Sequence, residues 1–193
     1  MELQHVNVKL PLKEDPPFDL ELVIPIFHAW IQDQALDERL LSVADYRHVP
    51  QGPGVLLIGH EGDYSLDESE GRRGVRYNRK TAIEGSNDDR LRQAMRAALY
   101  ACQRLEEHPA LQGKLCFNGQ DIELFINDRL LAPNTNTTRM AVEPELRQFF
   151  TEMLGGAEYS LSFSSDGDPR RLFGVSLKTP RVFAAADLLA NVG

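Results

Sequence analysis

The stretch from Gly85 to Pro109 limits the fold most. Leu91, Ala94, Met95, Ala98, Cys102 and Leu105 recur at helical spacing, while Arg92, Arg96 and Gln103 fall off that stripe. Ser86 or Asn87 is placed to cap the N-terminus, and Asp88 and Asp89 suit the positive end of the helix dipole. His108-Pro109 ends it. A helix with one apolar stripe must lay that stripe on another layer. The runs before and after it are strand-like, so the layer is a sheet. Leu91, Met95 and Leu105 should be buried against it and Leu99 at least partly covered, with Arg92 and Arg96 in water.

The rest of the chain supplies the strands. Residues 5–10, HVNVKL, alternate and predict a first strand, ended by Pro11 and Pro16-Pro17. Asp19 is an N-cap, and Phe18 with Val23 occupies the two positions of a hydrophobic staple. Leu20, Val23, Ile24, Phe27 and Ile31 then recur at helical spacing, with Trp30 beside the stripe. Pro25 removes a backbone donor, which predicts a kink or a helix proper that starts there. His28 is expected at the surface or boundary. Residues 40–49 predict a second strand. Strands near 54–61 and 73–80 predict a hairpin that folds back through Asp67–Gly71.

Lys114–Phe117 and Asp121–Ile126 flank Asn118-Gly119, the strongest two-residue hairpin signal. Asn127-Asp128 is a turn and residues 133–138 a polar loop. Pro144 fits the first turn of a third helix, with Leu146, Phe149, Phe150 and Met153 as its stripe and Gly155-Gly156 closing it. A last hairpin joins Glu158–Ser164 to Leu172–Lys178 through Asp166–Pro169. Phe183, Leu188 and Leu189 mark the tail, Pro180–Gly193, as a short docking helix.

This order predicts an α+β fold. Its mainly antiparallel sheet is built from hairpins, with about three helices packed on one face in two layers. Residues 1–179 form a single domain and 180–193 a tail. The hairpin–helix unit recurs over 54–107 and 114–154 in topology, without matching residues.

Charge and cysteine usage narrow the function. Twenty-nine acidic against 21 basic residues give a net charge of -8, which argues against a nucleic-acid partner. No apolar run approaches the roughly 18 residues of a membrane span. Met1–His5 lack a basic n-region and an apolar h-region, so no signal peptide is expected. Cys102 and Cys116 have no metal-ligand spacing and are expected as small buried hydrophobes in a reduced, cytoplasmic setting.

Residues 54–80 carry the densest polar chemistry. An acidic segment (His60, Glu61, Asp63, Asp67, Glu68, Glu70) precedes a basic one (Arg72, Arg73, Arg76, Arg79, Lys80). The bland reading is a solvated hairpin with paired charges, each pair contributing only about 0.2–1 kcal/mol. The sharper one is a polar site, with Arg76, Asn78, Arg79 and Lys80 facing an anionic ligand and His60 or Asp63 as acid–base. If Ile58 points to the helices, so does His60, beside Tyr77, while Arg76 and Asn78 point away.

Asn127, Arg129 and Asn134 form a second polar cluster. It is either ordinary turn chemistry or loops that meet the 60–64 end of the hairpin in a cleft. His60, Glu61 and Asp63, with Asp45 or His48, match no standard metal motif, so no metal is assigned. No nucleophile triad or phosphate-cradling loop is visible, and no cofactor is implied.

The phrases IPIFHAWIQ, VADYRHVP, LIGHEGDYSLD and FNGQDIELFINDRLLAPN resemble a family of bacterial hypothetical proteins across nearly the whole chain. The resemblance implies a cytoplasmic bacterial protein and carries no activity or mechanism. The expected function is therefore non-catalytic: binding of a small ligand, or of a partner protein or second copy through the 180–193 tail. The alternative is an enzyme acting on a small anionic substrate through the 60–80 hairpin.

Overall fold

The structure, a computed structural model, describes residues 1–13, 19–111, 113–164, 168 and 170–193, without the Glu70 side chain. The expected Pro16-Pro17 stop, the Phe18 half of the staple and most of the Asp166–Pro169 turn lie outside the described residues.

The strands are β1 (Val6–Pro11), β2 (Leu40–Tyr46), β3 (Gly54–Gly59), β4 (Gly62–Asp67), β5 (Gly74–Arg79), β6 (Asp121–Ile126), β7 (Ser160–Phe163) and β8 (Phe173–Lys178). They form one sheet in the order β2-β3-β4-β5-β1-β6-β8-β7, every neighbour antiparallel. The helices are α1 (Val23–Asp33), α2 (Asn87–Glu107), α3 (Asn136–Met153) and α4 (Ala185–Val192). This is the α+β fold that the pattern of strands and helices predicts.

Alternation shows which face the helices cover. Val8, Leu10, Leu57, Leu66, Tyr77, Leu124 and Val175 are buried in one core with the helix stripes. Their strand neighbours Leu56, Arg76, Glu123 and Ser176 point to the helix-free face and are half-buried. α1 packs over β2 and β3, and α2 over β1 and β5. α4 lies on α2 and α3, burying Phe183, Leu188 and Val192, so the tail docks on its own domain. None of the described helices is long and apolar enough to cross a membrane.

α2 follows its sequence signals. Ser86 caps it through a capping box with Asp89, and all six stripe residues and Leu99 are buried. Arg96 is exposed, while Arg92 is partly covered by its bonds to Asp88 and Glu152. In α1, Ile26 and Trp30 are buried where Ile24 and Ile31 are only half-buried. Pro25 sits in the first turn, where no helix bond requires its missing donor.

Five expectations need correction. Residues 54–80 form three strands, not a two-stranded hairpin. β4 lies between β3 and β5, and His60-Glu61 is the tight turn before it. Tyr64 and Leu66 supply the buried alternation, and a helix-free face tolerates Asp63, Ser65 and Asp67 between them. It is Leu57 that points to the helices, Ile58 points away, and His60 is exposed. Asn118-Gly119 joins no hairpin. Neither residue has the positive φ that a type I′ turn needs. Residues 116–118 instead continue beside β1, through Lys13 N–Cys116 O and Asn118 N–Pro11 O bonds of 2.8 Å. Cys116 is exposed there, not buried, because Leu115 and Phe117 take the inward positions. α3 starts eight residues before Pro144, with Thr135 capping Thr138 N. Pro144 lies on an exposed turn, where water can serve the carbonyl it leaves unpaired.

Candidate functional site

The loop before β2 brings Glu38 over the β3–β4 turn. There it closes a cleft of about 430 Å3 against β4, β5 and α2. Tyr64 Oη donates to Glu38 Oε1 at 2.6 Å. Tyr64 is opposite Tyr77 in register, their rings 4.9 Å apart, and Gln93 Nε2 donates to Tyr77 Oη at 3.0 Å. Gly62 admits this stack, since a Cβ there would come 2.6 Å from the Tyr77 ring. Arg79 continues the helix-facing alternation of Val75 and Tyr77. Its Nη1 reaches Glu61 at 3.0 Å and its Nε donates to the Thr81 carbonyl at 3.0 Å. Arg92, Arg96 and Tyr100 of α2 form the opposite wall. The contact of Arg96 with exposed Asp37, at 3.7 Å, is beyond hydrogen-bond distance.

Burial pushes the Glu38 carboxyl above its ordinary range, and the Tyr64 bond offsets only part of that. Burial also raises Tyr64 and Tyr77, so both hydroxyls stay neutral, Tyr64 donating to Glu38 and Tyr77 accepting from Gln93. Glu38 Oε2 and Gln93 Oε1 are buried with no hydrogen-bond partner among the described residues. Buried acceptors without donors are uncommon in folded proteins and call for an explanation. The folded state holds the Glu38 proton more tightly than the unfolded chain. The stability this group contributes is therefore fully present below its unfolded value near 4.5, and is lost as pH rises from there through the raised folded value. Glu38→Gln should flatten that part of the stability–pH curve in denaturant unfolding. A curve that falls as steeply as wild type would place the titration elsewhere.

The sequence-predicted residues are divided among several places. Asn78, Arg79, Lys80, Asn127 and Arg129 meet, with His5 and Asp128, around an open depression of about 530 Å3. Residues 60–64 are not among its walls. Asp63 shares the helix-free face with Asn78, its partner in register, and Lys80 Nζ takes its carboxylate at 2.6 Å. Arg76 lies on that same face in a separate groove. Asn134 is buried elsewhere, donating to the Asp168 carbonyl at 3.4 Å. His60 is exposed in its turn and lines none of these hollows. Among the described residues no three His, Cys, Asp or Glu side chains converge to hold a metal ion.

Glu38, Tyr64 and Gln93 were missed. No motif surrounds Asp37-Glu38-Arg39, and only tertiary contact desolvates Glu38. No family model, curated protein or solved structure matches the chain.

Proposed function

We propose that the protein is a non-catalytic cytoplasmic binder of a small polar ligand, seated in the Glu38–Arg79–Arg96 cleft. The supporting observation is the meeting of a raised carboxyl with arginines in one concave site. Three carboxyl side chains (Asp37, Glu38, Glu61) face three arginines (Arg79, Arg92, Arg96) there, so the walls offer both acceptors and cationic donors. Walls of this mixed character suit a small zwitterion, an amino-acid-like molecule with an ammonium and a carboxylate, better than a polyanion. No serine, cysteine or histidine is among the described lining residues, which favours binding over nucleophilic chemistry. A partner protein on the 180–193 tail has less support, because Phe183 and Leu188 are already covered.

The enzyme reading has one specific observation in its favour. Glu38 lines the cleft with its carboxyl raised by burial, the environment of a general acid, whereas His60 and Asp63 do not line it.

A thermal-stability screen against amino acids and small metabolites tests the proposal. A ligand at a hundredfold excess over Kd stabilises the folded state by about 2.7 kcal/mol. The expected hit raises the melting point of wild type and does so much less in Arg96→Met. No hit, or an equal rise in Arg96→Met, would sink the cleft as the site. A hit that is turned over by wild type and only bound by Glu38→Gln would establish the enzyme reading.

A further inference from the structure

A second polar constellation lies on the helix-free face, out of reach of the cleft. Register places Ser65, Arg76, Lys9, Glu123, Ser176 and Ser162 in one row across β4, β5, β1, β6, β8 and β7. Lys9 is 1% exposed and Asp67 3%. Lys9 Nζ donates to Asp67 Oδ1 at 2.5 Å, to the Ser69 carbonyl at 2.8 Å and to Ser69 Oγ at 3.2 Å. All three of its protons are engaged. Asp67 Oδ1 also accepts from the Ser69 amide at 3.1 Å and from the Ser69 hydroxyl. Asp67 therefore already has its counter-charge and its donors.

Arg76 is left over. Its Nη1 stands 3.8 Å from Asp67 Oδ2, an ion-pair distance too long for a hydrogen bond, and no polar partner is closer among the described residues. The guanidinium carbon sits 5.4 Å from the Phe125 ring centroid, which holds the fork in place. Phe125 has room because its neighbour is Gly174, where a Cβ would come 3.0 Å from the ring. Arg76 and Phe125, with Ser176 and Glu123, line a groove of about 280 Å3.

We propose that this groove is an oxyanion site, in which the Arg76 fork takes a carboxylate or phosphate group and the Ser176 hydroxyl adds a donor. A half-buried guanidinium with its donors open, fixed over an aromatic ring, is already shaped for two parallel bonds to an oxyanion. Glu123, itself held by Arg72 at 3.3 Å, and Arg171 also line the groove.

The test is a pair of NMR titrations of the full chain, one with acetate and one with inorganic phosphate, each at ionic strength matched with sodium chloride. Saturable shifts of the Arg76 side chain and of the Gly174 and Ser176 amides are expected with at least one of the two, and the responding anion names the source chemistry. Binding should be about tenfold or more weaker in Arg76→Met, weakened less in Ser176→Ala, and unchanged in Arg96→Met. Arg76→Lys keeps the charge without the fork and should also weaken binding. It serves as the deciding variant if Arg76→Met does not fold. No saturable shift with either anion, or full affinity in the deciding variant, would overturn the site. Shifts that disappear in Arg96→Met would assign the binding to the cleft instead.

Discussion

Replacing Lys9 with methionine is expected to lower the unfolding free energy by about 3–5 kcal/mol. Methionine keeps most of the volume and removes the charge. Asp67, 3% exposed, would be left buried without its ammonium partner, and the Ser69 carbonyl would lose a donor. A buried charge without compensation costs several kcal/mol, whereas removing both members of a pair is often neutral. The double variant Lys9→Met/Asp67→Leu should therefore recover most of the loss. Denaturant unfolding of the two variants separates pair from packing. A loss below about 1 kcal/mol in Lys9→Met would mean that Arg76 moves the remaining 3.8 Å contact inward and substitutes for Lys9. In that case Lys9→Met should also weaken anion binding in the groove, because the fork would be occupied.

The fold was legible where local signals and tertiary burial agree. The α2 stripe, the Ser86 cap and the final β7–β8 hairpin come directly from periodicity and turn chemistry. Signals failed where the same residues serve a different partner. Asn118-Gly119 is a hairpin dipeptide by composition, yet the chain before it pairs with β1, a partner more than a hundred residues earlier in sequence. A Cβ at Gly119 would fall 2.0 Å from the Phe183 carbonyl, so close approach of the tail is what requires glycine there. Pro144 looks like a helix start because proline favours first turns, and Thr135, a better cap, lies inside what looks like a loop.

The candidate sites were less legible. Alternation along β5 separates Arg76 and Asn78 from Arg79, which a run of basic residues hides. Arg79 enters the helix-side cleft, Arg76 the opposite groove, and Asn78 the depression at the strand ends. Glu38 gives no sign at all, because its raised carboxyl depends on burial by elements distant in sequence, among them Tyr64, 26 residues away, whose bond only offsets part of the rise. Desolvation is a property of the packed state, and one sequence does not display it.

Met95→Ala is expected to cost about 2–5 kcal/mol, the range for truncating a buried methionine. Met95 is 0% exposed in the middle of the α2 stripe. The size within that range depends on how far the surroundings can collapse. Here they are held on two sides. β1 and β5 lie under α2, and α4 lies across it. A helix clamped between a sheet and a second helix cannot sink into the space left by the missing side chain, so the upper half of the range is expected. Arg96→Ala, one residue further and exposed, should change stability by no more than about 0.5 kcal/mol. The contrast at adjacent positions tests the orientation of the helix, which also sets the cleft, since Arg92, Gln93 and Arg96 reach it from the same turns. Equal losses at Met95 and Arg96 in denaturant unfolding would mean that α2 is rotated, and the wall of the cleft would have to be redrawn with it.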